Sequence, residues 1–429
     1  MSGAKLLDYS IFKLRRKKLF EILRAEYFST KNWVFIIHSG FESERYTFRP
    51  SSSFYYLTGI SEPATVLMIF SNGREILYYP QYSEKRAQWV GEGINKNQAS
   101  LFGINEIKYL GDVNKDYIVK HPLAKETFCN LAKEIETVTS SGGTIYTLFY
   151  EDSRNGGLCE ELALWVSGLD SSIQDVSNFV YELRKTKDDY EINLTHQAVQ
   201  ITNLAHCAIA VAIAPDKYEY QIKAMGEYIF SEMGARGPAF PSIIASGQNS
   251  TVLHYQACDN KLKEGDLVVV DIGAEYNFYS SDITRTYPVS GRFTTRQCEI
   301  YRAVLRVQEY IESIAQPGIA LNDPKNTERS LHHIALKKFT EFGFGEYFSH
   351  GIGHFLGLDV HDVGSLDMPL EPGDLFTIEP GIYIPQENLG IRIEDNYVMA
   401  DDGAMCLSYE LPKKPEEIEK LMIPENKNI

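Results

Sequence analysis

Short apolar runs alternate with amphipathic stretches through the first 175 residues. Over residues 9–28, Ile11, Leu14, Leu19, Ile22 and Leu23 recur at helical spacing with basic residues between them, which predicts an amphipathic helix. Trp33–His38 (WVFIIH) and Thr65–Phe70 (TVLMIF) are apolar runs of strand length. The Asn72-Gly73 step leads from the second into Glu75–Tyr79 (EILYY), a hairpin signature. Strands alternating with helical stretches predict an α/β layer domain over residues 1–175. From Val176 to Ile213 the spacing predicts one long helix joining two domains. Residues 176–429 then carry Val-, Ile- and Tyr-rich strands, with helices expected near 219–233, 295–315 and 325–342. A last amphipathic helix is expected in Lys413–Met422, beginning at a Pro. At 429 residues the chain exceeds one ordinary core, which agrees with two domains.

One internal similarity stands out. Residues 264–273 read EGDLVVVDIG and residues 371–381 read EPGDLFTIEPG. In both, Gly-Asp-Leu starts an apolar strand that an acid closes, Asp271 in one copy and Glu379 in the other. A second acid follows on the expected returning strand, Asp282 in the first copy and Glu394 in the second. Two such hairpins suit pseudo-twofold halves facing each other across a cleft. A carboxylate at the end of a Val-rich strand is costly unless paired or bound to a cation. Four at matched positions therefore point to a cation site. Strand period also puts Arg392 on the face of Glu394, and Asp282 on the face of Thr284.

Histidine concentrates in the same region. His350, His354 and His361 lie in HGIGHFLGLDVHD, and His254 lies in TVLHY. Glycines at 351, 353 and 357 argue against a helical zinc motif, and in an extended segment His350 and His354 face one side. These four are read as functional. His38, His121, His196, His206, His332 and His333 are read as ordinary core or surface residues. Four carboxylates and one imidazole form a hard, oxygen-rich set suited to Mn²⁺, Fe²⁺, Co²⁺ or Zn²⁺. That much negative charge is balanced better by two divalent ions than by one, and two-metal sites cleave amide and phosphate bonds.

Composition narrows the partners. With 42 Lys and Arg against 58 Asp and Glu, the net charge is −16, which excludes a general nucleic-acid binder. The six cysteines, at 129, 159, 207, 258, 298 and 406, form no C-x-x-C pair; they read as reduced core filler. The basic residues of MSGAKLLDYSIFKLRRKKLF leave no secretory apolar core, and no apolar run approaches the roughly 20 residues of a membrane span. A cytoplasmic location and no membrane partner are expected.

These segments resemble the pita-bread metallopeptidases, specifically the Xaa-Pro aminopeptidases (aminopeptidase P). The resemblance covers nearly the whole chain. Its C-terminal half rests on GDLVVVDIGAEYNFYSSDITRTYPVSG, HGIGHFLGLDVHDVG, LFTIEPGIYIP and GIRIEDNYV. FRPSSSFYYLTGISEPATVLMI (Phe48 to Ile69) is similar to the amino-terminal domain shared by aminopeptidase P, prolidase and creatinase, and LRKTKDDYEI (Leu183 to Ile192) to the start of the catalytic domain. The resemblance implies an N-terminal creatinase/prolidase-like α/β domain (1–175) and a C-terminal pita-bread α/β (α+β) catalytic domain (176–429). It implies that Asp271 chelates one divalent ion, that His354 and Glu379 hold the other, and that Asp282 and Glu394 bridge both. A bridging hydroxide would attack the Xaa-Pro carbonyl, Glu379 would shuttle the proton, and His361 would steady the oxyanion. His254 would stand near the scissile nitrogen or the following carbonyl and His350 beside the proline pocket, with Tyr383 and Arg392 supporting the ligands. Substrates would be proline-containing peptides, and the protein an oligomer, dimer or tetramer.

Prolidase, which takes only Xaa-Pro dipeptides, remains the alternative, and Gly353 leans slightly towards it. Methionine aminopeptidase usually lacks the leading domain, and creatinase lacks the ligands. A non-catalytic binder on this fold would generally have lost several of the five.

Overall fold

The computed structural model describes residues 9–27, 30–115, 118–119, 125–149, 162–163, 166 and 172–423. His121 and Cys159 lie outside them. The chain divides into two compact units, Met1–Arg184 and Lys185–Ile429.

The first unit is built on a six-stranded mixed sheet of order β4-β3-β2-β1-β5-β6. Its strands are β1 (Trp33–His38), β2 (Val66–Phe70), β3 (Glu75–Tyr79), β4 (Ile107–Tyr109), β5 (Thr144–Thr147) and β6 (Ile173–Asp175). β2 and β3 form the expected hairpin, with Ile69 opposite Glu75. Gly73 takes φ +82° in its turn, a conformation that glycine adopts without Cβ strain. The helix Ser10–Glu26 departs from its apolar reading, because Leu14 is exposed while Arg15 and Arg16 are buried. Arg16 donates to Leu57 O (2.9 Å), Phe102 O (2.9 Å) and Glu75 Oε2 (3.0 Å), and Arg15 lies over the Tyr56 ring. Both guanidiniums thus find partners, although for Arg16 burial still outweighs Glu75 and pulls its pKa down.

The division falls after Arg184 rather than after 175, and the single joining helix is two. Ser177–Lys185 and Asp189–Ala212 are separate helices. Between them Thr186 bridges Asp374, and Lys187 N donates to Gly373 O (2.9 Å). Asp188 then restarts the helix through a capping box with Glu191. The third expected helix is also shorter: Leu331–Glu341 is α-helical, whereas Asp323 Oδ1 accepts from Lys325 N (2.8 Å) and turns the chain ahead of it.

The second unit shows why the repeated segments match. β9 (Leu267–Ile272) runs into the short strands β10 (Ala274–Tyr276) and β11 (Tyr279–Ser280), then returns as β12 (Ile283–Pro288) beside itself. β13 (Leu375–Ile378) likewise runs into β14 (Gly381–Ile384) and β15 (Leu389–Arg392), then returns as β16 (Asp395–Ala400). Each copy is therefore a strand, an inner hairpin and a return strand, not one hairpin. β7 (Gly237–Pro238) pairs with β10, β8 (Ile243–Ser246) extends the first sheet and β17 (Gly403–Cys406) the second. The helices Asp189–Ala212 and Glu219–Glu232 cover β8 and β9 through Ile201, Ile209, Ile222, Val268 and Val270. Thr295–Ile314 and Leu331–Glu341 cover the other sheet through Val304, Ile311, Phe339, Phe376 and Tyr397. Helices on one face of each sheet leave the carboxylate-bearing strand ends on the other side.

Among the described cysteines Cys258 is fully buried, and the half-buried Cys207 and Cys406 pack against core clusters, so core filling holds for these three; Cys129 and Cys298 are half-buried free thiols. No helix among the described residues is long and apolar enough to cross a membrane.

His206 is a buried core residue with a consequence for stability. Its ring lies between the Tyr287 hydroxyl (Nδ1, 3.1 Å) and Ile283 O (Nε2, 3.0 Å), which fits a neutral ring donating from Nε2. Burial, with Arg285 nearby, pushes its pKa down to about 3. An unfolded His protonates near pH 6.5, so below that pH the unfolded chain takes up a proton that the folded chain refuses. Stability should therefore fall as pH drops from about 6.5 towards 3. Urea unfolding at pH 7 and pH 5 should show a smaller acid loss for His206→Gln than for wild type; parallel losses would contradict this.

Candidate functional site

The four acids come together where the two copies meet. Asp271 sits in β9 opposite Thr284, and Asp282 stands immediately ahead of β12. Glu379 follows β13 directly, and Glu394 lies between β15 and β16. The copies are stitched to each other: Glu394 N donates to Thr284 O (3.0 Å), Asp282 N donates to Asn396 Oδ1 (3.0 Å), and Asn396 Nδ2 bonds Asp282 O. His354 arrives on a segment lying along β13, where Thr377 N donates to His354 O (2.9 Å) and Glu379 N to Ile352 O (2.9 Å). Gly353 is fixed by packing, since a Cβ there would stand 2.0 Å from Thr377 O. That constraint concerns the backbone and carries no information on peptide length.

His354 Nε2 lies 3.4 Å from Asp282 Oδ2 and 3.5 Å from Glu379 Oε1. Its Nδ1 lies 2.9 Å from Phe355 O, so the N–H belongs there and the Nε2 lone pair faces the acids. One ligand atom from each of Asp282, His354 and Glu394 falls within 4.8 Å of the others. Asp271 Oδ1 and Asp282 Oδ1 are buried without a hydrogen-bond partner. Burial, then repulsion from Asp271 and Glu379, pushes the Asp282 carboxyl well above the usual range. Burial, then Asp282, Glu379 and Asp271, does the same to Glu394. Orphaned carboxylate oxygens, crowded acids and an imidazole lone pair form a donor set that fits a divalent cation.

A guanidinium limits the excess charge. Arg392 Nη2 donates to Asp271 Oδ2 (2.6 Å), Nε to Thr284 Oγ1 (3.2 Å) and Nη1 to Tyr383 Oη (2.9 Å). Thr284 Oγ1 in turn donates to Glu394 Oε2 (2.7 Å). Tyr383 Oη lies 2.9 Å from His350 Nε2, while His350 Nδ1 lies 2.8 Å from Gly351 O. Burial pushes the Tyr383 hydroxyl up to about 12, so it stays protonated and donates to His350. His350 Nδ1 also stands 3.7 Å from Glu379 Oε2, placing His350 and His354 on the same carboxylate. The His361 ring meets the His354 ring edge-on, with centroids 4.3 Å apart. Burial, and next the neighbouring His354 imidazole, lowers the His361 pKa, which favours its neutral form.

Asp271, Asp282, His354, Glu379, Glu394, His350, His361, Arg392 and His254 all line one cleft of about 600 Å³. Tyr383 is buried behind it. Phe240, Pro241, Leu253 and Val360 supply apolar wall. Periodicity missed several residues that hold the site. Lys187 Nζ makes a fully buried ion pair with Asp362 Oδ2 (3.0 Å), the neighbour of His361. Gln308 Nε2 reaches Ile378 O and Ile393 O (both 3.3 Å), the residues ahead of Glu379 and Glu394. The adjacent acidic residue in HD and the LRKTK segment were the only signals for the first; nothing in the helical pattern marked Gln308.

Residues 193–401 match the profile of metallopeptidase family M24, and residues 12–122 match the aminopeptidase P N-terminal domain. The chain is 31% identical to the Xaa-Pro aminopeptidase of Haemophilus influenzae, with 96% of each chain covered. It is 30% identical to that of Escherichia coli, over 89% of this chain and 90% of the relative. It is 26% identical to human Xaa-Pro dipeptidase, over 96% and 93%. Among solved structures it is similar to zinc-substituted E. coli aminopeptidase P in complex with product (TM-score 0.82, 27% identity, 97% and 98% covered). An E. coli aminopeptidase P structure with the inhibitor Pro-Leu gives a TM-score of 0.81 at the same identity and coverage. Its mixed α/β architecture is that of an aminopeptidase P N-terminal domain followed by a pita-bread domain, and the chain belongs to metallopeptidase family M24.

Proposed function

We propose that the chain is a divalent-metal-dependent Xaa-Pro aminopeptidase, releasing the N-terminal residue from peptides with proline second. The observation that carries this reading is the buried acid–imidazole cluster, with two orphaned carboxylate oxygens, opening into a cleft lined by three further histidines. Asp271, Asp282, His354, Glu379 and Glu394 would hold two divalent ions, Mn²⁺ first among them. Bound there, the ions would supply Lewis acidity and bring a water's pKa towards neutrality.

The chain's own groups do the rest. Glu379, open to the cleft, takes a proton from the attacking water and passes it to the departing prolyl nitrogen. Neutral His361 offers an N–H to the carbonyl oxygen as its negative charge develops. The Arg392–Tyr383–His350 chain fixes the His350 ring against the substrate's proline side. His254 lines the same cleft and would meet the scissile nitrogen or the next carbonyl. A tertiary Xaa-Pro amide brings no N–H to satisfy, so walls of histidine and apolar side chains suit it. The free described thiols agree with a cytoplasmic, reducing location. The expected oligomer is checked by light scattering.

Hydrolysis of Xaa-Pro-Yaa tripeptides, Xaa-Pro dipeptides and Xaa-Ala-Yaa tripeptides, with and without Mn²⁺, tests the reading. Cleavage of Xaa-Pro-Yaa that stops with a chelator and returns with Mn²⁺ is expected. Cleavage confined to the dipeptide would make the protein a prolidase. No metal-dependent hydrolysis of any of them would favour a binding module.

A further inference from the structure

Glu219 is fully buried at the start of the helix Glu219–Glu232, and no step above uses it. A carboxylate taken out of water is tolerated when its lone pairs are filled, and these are. Oε1 accepts from Ser246 N (2.7 Å), Ser246 Oγ (2.7 Å) and Asn249 Nδ2 (3.3 Å). Oε2 accepts from Tyr255 Oη (2.8 Å) and Asn260 N (3.0 Å). Glu219 N also donates to Asn260 O (3.0 Å).

The donors belong to one stretch of chain. Ser246 ends β8, Asn249 lies in the short turn that follows, Tyr255 adjoins His254, and Asn260 closes the stretch. Between Val252 and Asn260 the chain has no regular secondary structure, and Asp259 N turns to Tyr255 Oη (3.4 Å). His254 itself is exposed, with Leu253 and Gln256 beside it in the cleft wall. One carboxylate therefore pins the beginning, middle and end of the segment that carries His254. Hydrogen bonds to a charged acceptor are stronger than those between neutral groups, and a neutral amide of the same shape offers one acceptor oxygen where two are needed.

We infer that Glu219 is the positioning residue for His254: its buried carboxylate fixes the 246–260 segment and thereby sets where the His254 imidazole stands over the cleft. The inference rests on reading that cleft as the peptidase site.

The test uses the full chain loaded with Mn²⁺, as wild type, Glu219→Gln, Glu219→Asp, His254→Ala and the Glu219→Gln/His254→Ala double variant. Hydrogen–deuterium exchange should rise about tenfold or more across residues 246–260 in Glu219→Gln, with β12 and β16 unchanged. The kcat for an Xaa-Pro-Yaa peptide should fall about tenfold, less in Glu219→Asp, which keeps the charge. In the His254→Ala background the Gln substitution should cost no further activity. Tyr255→Phe leaves Glu219 in place, removes the bond beside His254, and should give a smaller, equally local rise in exchange if Glu219→Gln fails to fold. Unchanged exchange in 246–260, a protein-wide rise, or the same fold-loss with and without His254 would each overturn the inference. Wild-type chain that cleaves no Xaa-Pro-Yaa peptide would overturn the proposed function instead, and the exchange result would still decide whether Glu219 holds the segment.

Discussion

Replacing Asp282 with Ala is expected to lower Xaa-Pro-Yaa hydrolysis at least about 10³-fold and to abolish stabilisation by divalent cations. Asp282 is where both copies of the repeat converge, with one oxygen facing His354 and the other buried without a partner. Removing it takes away the residue proposed to serve both ions. The stability effect has an unusual sign. Neighbouring acids repel one another without a cation: after burial, Asp271 and Glu379 hold Asp282, and Asp282, Glu379 and Asp271 hold Glu394, well above ordinary carboxylate values. In chelator, then, Asp282→Ala should be at least as stable as wild type. With Mn²⁺ at a hundred times its dissociation constant, wild type should gain about 2.7 kcal/mol and the variant little. Thermal melts with and without Mn²⁺, together with metal content by elemental analysis, read this directly. A variant that keeps its metal and its cation-dependent melting shift would rule out Asp282 as a shared ligand.

Arg285→Met is expected to be the most destabilising single change, by about 3–5 kcal/mol, because it takes from buried Asp395 the fully buried cation of its ion pair. Arg285 is fully buried and donates to Thr284 O (2.9 Å), Glu394 O (2.7 Å), Asp395 Oδ1 (2.7 Å), Leu411 O (3.1 Å) and Pro412 O (3.0 Å). Burial by itself would raise the Asp395 pKa. Arg285, Lys413 and Ser408 outweigh that and hold it below its ordinary value. Without the guanidinium, Asp395 and four carbonyls face a methyl group. A fall of roughly 10 °C in melting temperature follows for a unit of this size. Arg285→Lys should recover part of it, since a point charge cannot reproduce the planar fork. A melting temperature unchanged in Arg285→Met would remove the network from the account of stability. Cation affinity should also weaken, because Glu394 loses the bond to its own carbonyl.

Much of this was legible in the sequence, for a definite reason. Acids closing Val-rich strands are so costly that only pairing or a cation keeps them, and their recurrence at matched positions in two Gly-Asp-Leu segments marked the site before any contact was known. The hairpin at Asn72-Gly73 and the helix starting at Pro415 were equally local and equally readable. The misreadings came where distant residues decide. The helix from 176 to 213 is interrupted because Gly373 and Asp374 pair with its middle. Arg15 and Arg16 are buried because carbonyls and Glu75 meet them from far along the chain.

By itself, then, the sequence determined the repeat, the four acids and the histidine segment as a candidate cation site, and the two-domain order, because these follow from local patterning and the cost of burying charge. Only the tertiary structure decided what holds these residues: Arg392 on Asp271, Thr284 on Glu394, Asn396 on Asp282, Gln308 behind the second copy, Arg285 behind both, and Glu219 on the segment that carries His254. Those partners are set by three-dimensional proximity between segments tens to more than a hundred residues apart, which no periodicity along the chain records.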